Sequence, residues 1–322
     1  MIRTVAYSRV LLALTGSAIC VTPTPGRADL GPGDHTFPLD YQGRHRSYIV
    51  HVPQAASSTA RAVVLNFHGG GGYAANQQSY SRMDLTADRE GFLAVYPNGT
   101  GRLPTRLLTW NAGTCCGYAA EHNVDDVGFT RAVIEDLSKR TPVNRSRVYA
   151  TGLSNGAMLA YRLALEASDL IAAIAPVAGS EVAPFRPVRP MSILHIHSVD
   201  DPRALYAGGL GPPFPFTDNR VQHPAVEQVI SQWVDYDGCP RQPQIDPTRR
   251  GSGKAVLHTA TRTVYAPCKD GAEIVLWKLT GAGHVWPGGK LDYLPRLLGP
   301  GTDVIDANIE MWRFFSRFRR SP

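Results

Sequence analysis

The sequence predicts an α/β fold: a mostly parallel central sheet with helices on both faces. Three observations carry the prediction. Short β-rich runs alternate with helical stretches from Tyr48 onward, without internal repeats. The runs 62–67 and 92–96 are almost wholly apolar and read as buried strands lying centrally in the sheet. The turns that follow them are rich in glycine, where a parallel sheet gathers its chemistry at the carboxyl ends of its strands. The 322 residues are 43% hydrophobic and 19% charged, enough apolar material to order a single large domain.

Residues 1–28 read as a signal peptide. Arg3 and Arg9 border an apolar run over residues 10–21, and Gly26-Arg27-Ala28 supplies a small-x-small cleavage pattern. The run is shorter than the roughly 20 apolar residues that cross a bilayer, so no stable membrane insertion is expected after cleavage. Residues 29–322 are then the catalytic domain of an exported protein, extracellular or periplasmic. The leader holds three arginines and no acid, so the formal charge falls from +6 to +3 on its removal. No basic block interleaved with aromatics is present beyond the short Arg317-Phe318-Arg319-Arg320 tail, which argues against a nucleic-acid partner. A monomer is expected. Cys115, Cys116, Cys239 and Cys268 remain, an even number that in an exported chain suggests disulfides and allows three pairings. Cys239 with Cys268 is the expected bridge, leaving Cys115 and Cys116 paired to each other or partly free. No CxxC or HxxxH spacing accompanies them, so neither a metal nor another cofactor is expected.

Residues 62–67 form the first central strand, ending in His68 and the run Gly69 to Gly72, and residues 92–96 form the next, stopped by Pro97. Phe129, Val133 and Leu137 fall at helical spacing within residues 127–140, with Asp125 and Asp126 before them as N-cap residues. Residues 147–151 are a strand, Gly152-Leu153-Ser154-Asn155-Gly156 a sharp turn, and residues 157–167 a helix rich in Ala and Leu. Residues 191–197 and 273–279 are later strands, and residues 303–317 the final helix.

The turn matches GxSxG, in which small residues flanking the serine allow a strained strand-to-helix bend that exposes the hydroxyl. Ser154 is therefore the expected nucleophile rather than an ordinary capping serine. A serine needs a base and a third group to orient that base, in the chain order Ser, Asp or Glu, His. His284, in the glycine-rich loop after the strand 273–279, is the expected base. His223 and His258 lack such a setting and read as surface residues. The turn after residues 191–197 offers Asp200 and Asp201 as the acid, with Asp201 favoured and Asp200 a turn former. His195 and His197 share one face of their strand and read as structural. An oxyanion needs two preorganised N–H donors, assigned to the backbone of Asn155 and of Gly70, with Gly69 as the neighbouring possibility. The glycine run is not a phosphate cradle, because no Gly-Lys-Ser/Thr follows it.

These residues resemble the secreted esterases that include polyhydroxybutyrate depolymerase-like and feruloyl or acetylxylan esterase-like proteins. The likeness runs from about Tyr48 to Phe315 through HGGGG, Trp110-Asn111-Ala112-Gly113 with CCG, VDDVGF, GLSNGAM, Asp201-Pro202, the segment 233–239 and GHVWPGG. It implies an α/β-hydrolase fold, hydrolysis of a carboxylic ester through an acyl-enzyme, and Ser154, Asp201 and His284 as catalytic residues. The ester would be a hydroxyalkanoate oligomer or a plant cell-wall ester. Ala204-Leu205 depart from the Val-Pro that many relatives carry before the tyrosine. Trp110, Asn111 and Trp286 are expected to contact substrate, the alternative for each tryptophan being a packing role. Two other readings share the same residues: an acyltransferase, and a non-catalytic surface-binding protein on a hydrolase scaffold. The depolymerases it resembles commonly attack insoluble polymer with a separate binding domain, and none is expected here, so soluble esters are the expected substrates.

Overall fold

A computed structural model of the chain describes residues 1–2, 30–54, 59–214 and 219–320. The expected leader lies outside the described residues except for its first two. The sheet begins with a hairpin, β1 (Gly33–Tyr41) and β2 (Arg44–Val52), and continues through β3 (Arg61–Phe67), β4 (Leu93–Pro97), β5 (Val143–Leu153), β6 (Ala173–Val177) and β7 (Ser192–Ser198). Two short strands, β8 (Gly209–Leu210) and β9 (Gln222–His223), pair with each other apart from it. The far edge is built from β10 (Gln244–Ile245), β11 (Arg249–Arg250), β12 (Thr259–Tyr265) and β13 (Ile274–Thr280). The spatial order is β1-β2-β4-β3-β5-β6-β7-β13-β12-β10. Every pairing from β4 through β3, β5, β6 and β7 to β13 is parallel, while β1, β2, β10, β11 and β12 pair antiparallel at the two margins. The parallel centre is as the sequence predicts. The antiparallel hairpin at one edge is an addition to it.

The central strands form because their side chains can be buried on both sides. Along β3, Val63, Leu65 and Phe67 enter one core and Ala62 and Val64 the other, the period of two that a strand imposes. Helices α4 (Asp126–Arg140), α5 (Asn155–Glu166) and α6 (Val226–Tyr236) cover the first face with Phe129, Leu159 and Trp233. Helices α1 (Ala74–Ser81), α2 (Met83–Glu90) and α8 (Ala307–Phe315) cover the second with Tyr80, Met83 and Met311. Two short helices, α3 (Gly117–Glu121) and α7 (Pro295–Leu298), sit in loops.

Two local expectations change, and the expected cysteine pairing holds. Asp125 does cap α4, accepting from the Gly128 amide at 2.7 Å, but Asp126 does not cap. It is wholly buried, pairs with Arg46 at 2.8 Å and accepts from the Asn111 amide at 2.7 Å. A second cap is not needed where a buried guanidinium needs a counter-charge. The final helix starts at Ala307 because the carboxylate of Asp306 takes the Ile309 amide at 3.1 Å. Cys239 and Cys268 are bridged, and Cys115 and Cys116 pair with each other.

Candidate active site

The four loops of interest leave the carboxyl ends of β3, β5, β7 and β13, one edge of the sheet. Ser154 stands between β5 and α5 at φ 57° and ψ −119°, a left-handed backbone that a β-carbon disfavours. Its amide donates to the Val177 carbonyl at 2.9 Å, and its own carbonyl accepts from Met158 at 3.0 Å. The bend is tight enough to require glycine on both sides. A β-carbon on Gly152 would meet the Phe67 carbonyl oxygen at 2.7 Å, and one on Gly156 the His68 oxygen at 2.6 Å. The residues that bracket the serine in the sequence are therefore those with no space for a side chain.

His284 and Asp201 come together across 83 residues of chain: imidazole Nδ1 lies 2.7 Å from carboxylate Oδ2, with both residues buried. The other oxygen, Oδ1, accepts from the amides of Arg203 at 2.7 Å and Ala204 at 2.9 Å. Burial pushes the Asp201 carboxyl upward, but the imidazoles of His284 and His197 outweigh it and hold the group well below the usual carboxylate range. Asp200 is exposed and instead accepts from the Gly281 amide at 2.7 Å. Ser198 Oγ donates to the Ala282 carbonyl at 2.6 Å, and the amides of Gly283 and His284 donate to Pro300 and Leu298. The loop carrying His284 is thereby tied down on both sides.

Facing these, the glycine run after β3 is held by its own histidine. His68 is fully buried, with Nδ1 donating to the Gly69 carbonyl at 2.8 Å and Nε2 accepting from the Gly99 amide at 3.0 Å. That arrangement needs a neutral ring, and burial pushes its pKa down to about 4. The amides of Gly71 and Gly72 are taken by Leu108 and Gly69, whereas among the described residues that of Gly70 has no partner. The Asn155 amide opens α5, where no preceding turn supplies an acceptor. A β-carbon on Gly70 would stand 3.7 Å from Asn155 Cβ, so the two amide-bearing residues are in contact distance.

Ser154, His284, Gly70 and Arg203 line one cleft of about 700 Å³, with Leu103, Leu107 and Phe214 among its apolar walls. That is within the range of small-molecule sites. Trp110, Asn111 and Trp286 do not line it, a correction to the sequence expectation. Trp110 is fully buried and donates from Nε1 to the His68 carbonyl at 2.9 Å, while its backbone N–H and carbonyl hold the Asn155 side chain at 2.7 and 3.0 Å. Asn111 donates to the Val124 carbonyl at 3.0 Å, and Trp286 Nε1 to Asn308 at 3.0 Å. Each polar atom is satisfied inward, and these residues brace the loops from behind. His223 and His258 are buried rather than superficial, and His223 lines the cleft. Sequence reasoning also missed His197 as a neighbour of Asp201; its pairing with His195 at alternate strand positions was the available signal.

The family described as Esterase PHB depolymerase matches residues 46–230. The Nocardia uniformis subsp. tsuyamanensis protein NocK is 30% identical over 80% of this chain and 75% of its own. Feruloyl esterase B of Piromyces equi is 26% identical over 77% of this chain but 44% of its own length. For the bifunctional acetylxylan esterase/xylanase of Neocallimastix patriciarum the figures are 27%, 76% and 31%. The chain thus spans less than half of those two longer relatives. Among solved structures, an acetyl xylan esterase from Aspergillus awamori superposes with a TM-score of 0.52 at 16% identity, over 78% of this chain and 94% of that one. A thermostable esterase gives 0.55 at 13%, over 89% and 63%. These structures share the α/β-hydrolase fold. On the extent of the family match, the chain belongs to the PHB depolymerase esterases, serine carboxylic-ester hydrolases built on that fold.

Proposed function

We propose that the protein hydrolyses carboxylic esters through an acyl-enzyme on Ser154, with His284 as general base and Asp201 as its orienting acid. The observation that carries this reading is the 2.7 Å contact between His284 Nδ1 and buried Asp201, in a cleft that His284 shares with a strained, glycine-bracketed Ser154. With the Nδ1 proton donated to Asp201, Nε2 is the basic nitrogen and takes the Ser154 proton as Oγ bonds to the ester carbon. The amides of Gly70 and Asn155 receive the negative oxygen. Collapse of the tetrahedral species breaks the ester C–O bond, His284 returns its proton to the leaving alkoxide, and a water repeats the sequence to free the acid.

The apolar cleft walls suit an ester with a hydrophobic acyl or alcohol part. Hydroxybutyrate oligomers, hydroxycinnamoyl-sugar esters and acetylated polysaccharide are the classes to compare. Export is part of the proposal, supported by the arginine-bordered apolar leader and the Cys239–Cys268 bridge; among the described residues no helix is long and apolar enough to cross a membrane. The test is hydrolysis of a soluble nitrophenyl ester, with mass spectrometry of the acylated protein. Ser154→Ala is expected to lower kcat by several orders of magnitude while the melting curve stays within a degree or two. Near-normal turnover by the alanine variant, or an acyl adduct elsewhere, defeats the assignment.

A further inference from the structure

Behind Asp201 runs a buried chain of three side chains that the reaction above leaves unused. Tyr161 on α5 places its hydroxyl 2.8 Å from His195 Nδ1, His195 Nε2 lies 3.0 Å from His197 Nδ1, and His197 Nε2 lies 2.8 Å from the Ala204 carbonyl. The same Nε2 is 3.3 Å from Asp201 Oδ2, the oxygen that faces His284. Tyr161, His195 and His197 are all at most 1% exposed. The two histidines alternate along β7 and so share a face, with their rings stacked at 5.3 Å.

The direction of the chain follows from its last member. A carbonyl only accepts, so His197 Nε2 carries a hydrogen. If His197 Nδ1 then bears a lone pair, His195 Nε2 donates to it and His195 Nδ1 accepts from the Tyr161 hydroxyl, and every donor is used. The reverse arrangement, with a hydrogen on His197 Nδ1, makes His195 Nδ1 donate to Tyr161. The buried phenolic hydrogen would then have no partner among the described residues, at the cost of an unmade hydrogen bond.

We propose that His197 is a positioning residue for ester hydrolysis: locked by His195 and Tyr161 in the form protonated on Nε2, it shares that one hydrogen between the Ala204 carbonyl at 2.8 Å and Asp201 Oδ2 at 3.3 Å, and so holds the carboxylate that orients His284. The inference rests on the triad reading given above. Around the Asp201 carboxylate stand three hydrogen-bond partners, Arg203 N, Ala204 N and His284 Nδ1, and the shared N–H of His197 at 3.3 Å braces the oxygen that faces His284. Donation from His197 also draws charge out of the carboxylate, so its removal leaves more charge to stabilise a protonated His284.

His197→Phe keeps an aromatic ring and deletes the donor; His197→Gln returns an amide N–H near the position of Nε2. For the phenylalanine variant, kcat is expected to fall on the order of ten- to a hundredfold, as when an orienting hydrogen bond behind a reactive group is lost, with KM within about twofold and the acid limb of kcat/KM moved to higher pH. The glutamine variant should regain most of the rate and the original limb. The groups that face His197 and enter this profile are His195 on its own strand, Tyr161, Tyr206, His223, Asp201 and His284. Wild-type kcat and profile for His197→Phe, with Asp201→Asn inactive, overturn the inference alone. A fall in kcat with an unmoved limb and no rescue by glutamine marks a packing role and also overturns it. Should Asp201→Asn retain turnover, the triad reading fails and takes this inference with it. If His197→Phe does not fold, nitrogen-15 spectra of the unmodified protein decide: Nε2 protonated and Nδ1 bare at neutral pH supports the proposal, and a hydrogen on Nδ1 refutes it.

Discussion

Asp201 accepts from His284 and is buried, whereas its neighbour Asp200 sits at the surface and accepts from a loop amide. Replacing either with asparagine removes one negative charge, yet the consequences differ. An asparagine at 200 keeps a carbonyl oxygen for the Gly281 amide, so the loop stays tied. An asparagine at 201 can offer its amide nitrogen to His284 and favour the wrong tautomer, leaving the proton on Nε2 where the lone pair is needed. Asp201→Asn is therefore expected to lower kcat by roughly 10³- to 10⁴-fold, and Asp200→Asn by less than about tenfold. Steady-state kinetics on a soluble ester checks this, and the opposite ranking would transfer the orienting role to Asp200. The sequence narrowed the proposed acid to these two residues; which of them faces His284 depends on the direction of each carboxylate, which adjacent positions in a turn do not encode.

Strands β3 and β4 were legible because burial on both faces leaves nearly unbroken apolar runs, whereas β5, β7 and β13 are mixed runs legible through the turns that end them, β5 only in its part from residue 147. The β1–β2 hairpin was not, because β1 alternates half-buried and exposed residues at a sheet edge, with His35, Asp34 and Asp40 among them. The glycines around Ser154 were legible for a steric reason, whereas Trp110 and Trp286 turn inward through hydrogen bonds to His68 and Asn308 that only the tertiary fold supplies. At this scale the Cys239–Cys268 bridge links the chain just after α6 to the approach to β13, closing a loop with a sequence separation of 29. The chain-entropy account assigns a loop of that length about 3 to 4 kcal/mol. Cys239→Ser with Cys268→Ser should lower Tm by several degrees and leave KM on a soluble ester unchanged, since neither cysteine lines the cleft. An unaltered Tm would show that the unfolded chain gains nothing from release of the bridge.

For the whole molecule, the buried carboxylates set opposing demands on pH. Asp201 is held below the usual carboxylate range, so its contribution to stability is present above the unfolded-state value and is lost as the pH falls through the folded one. Glu181 and Asp237 behave in the opposite way. Burial pushes each up to about 7, against a hydrogen bond from Trp233 Nε1 to Glu181 and one from the Met191 amide to Asp237. Between about pH 4.5 and 7 the unfolded chain therefore releases protons that the folded chain retains, and stability declines as the pH rises across that window. At about 1.36 kcal/mol per unit, the Glu181 shift corresponds to a loss on the order of 3 kcal/mol by neutral pH. Glutamine at 181 can still accept from Trp233 and has no proton to lose, so Glu181→Gln should remove that share of the slope. Urea unfolding at pH 5 and at pH 7.5 makes the comparison: the parent should lose more stability between the two than Glu181→Gln, with the variant the more stable of the two at pH 7.5. Parallel losses in both proteins would mean that Glu181 is already ionised in the folded state, with its charge satisfied by solvent or by a neighbour.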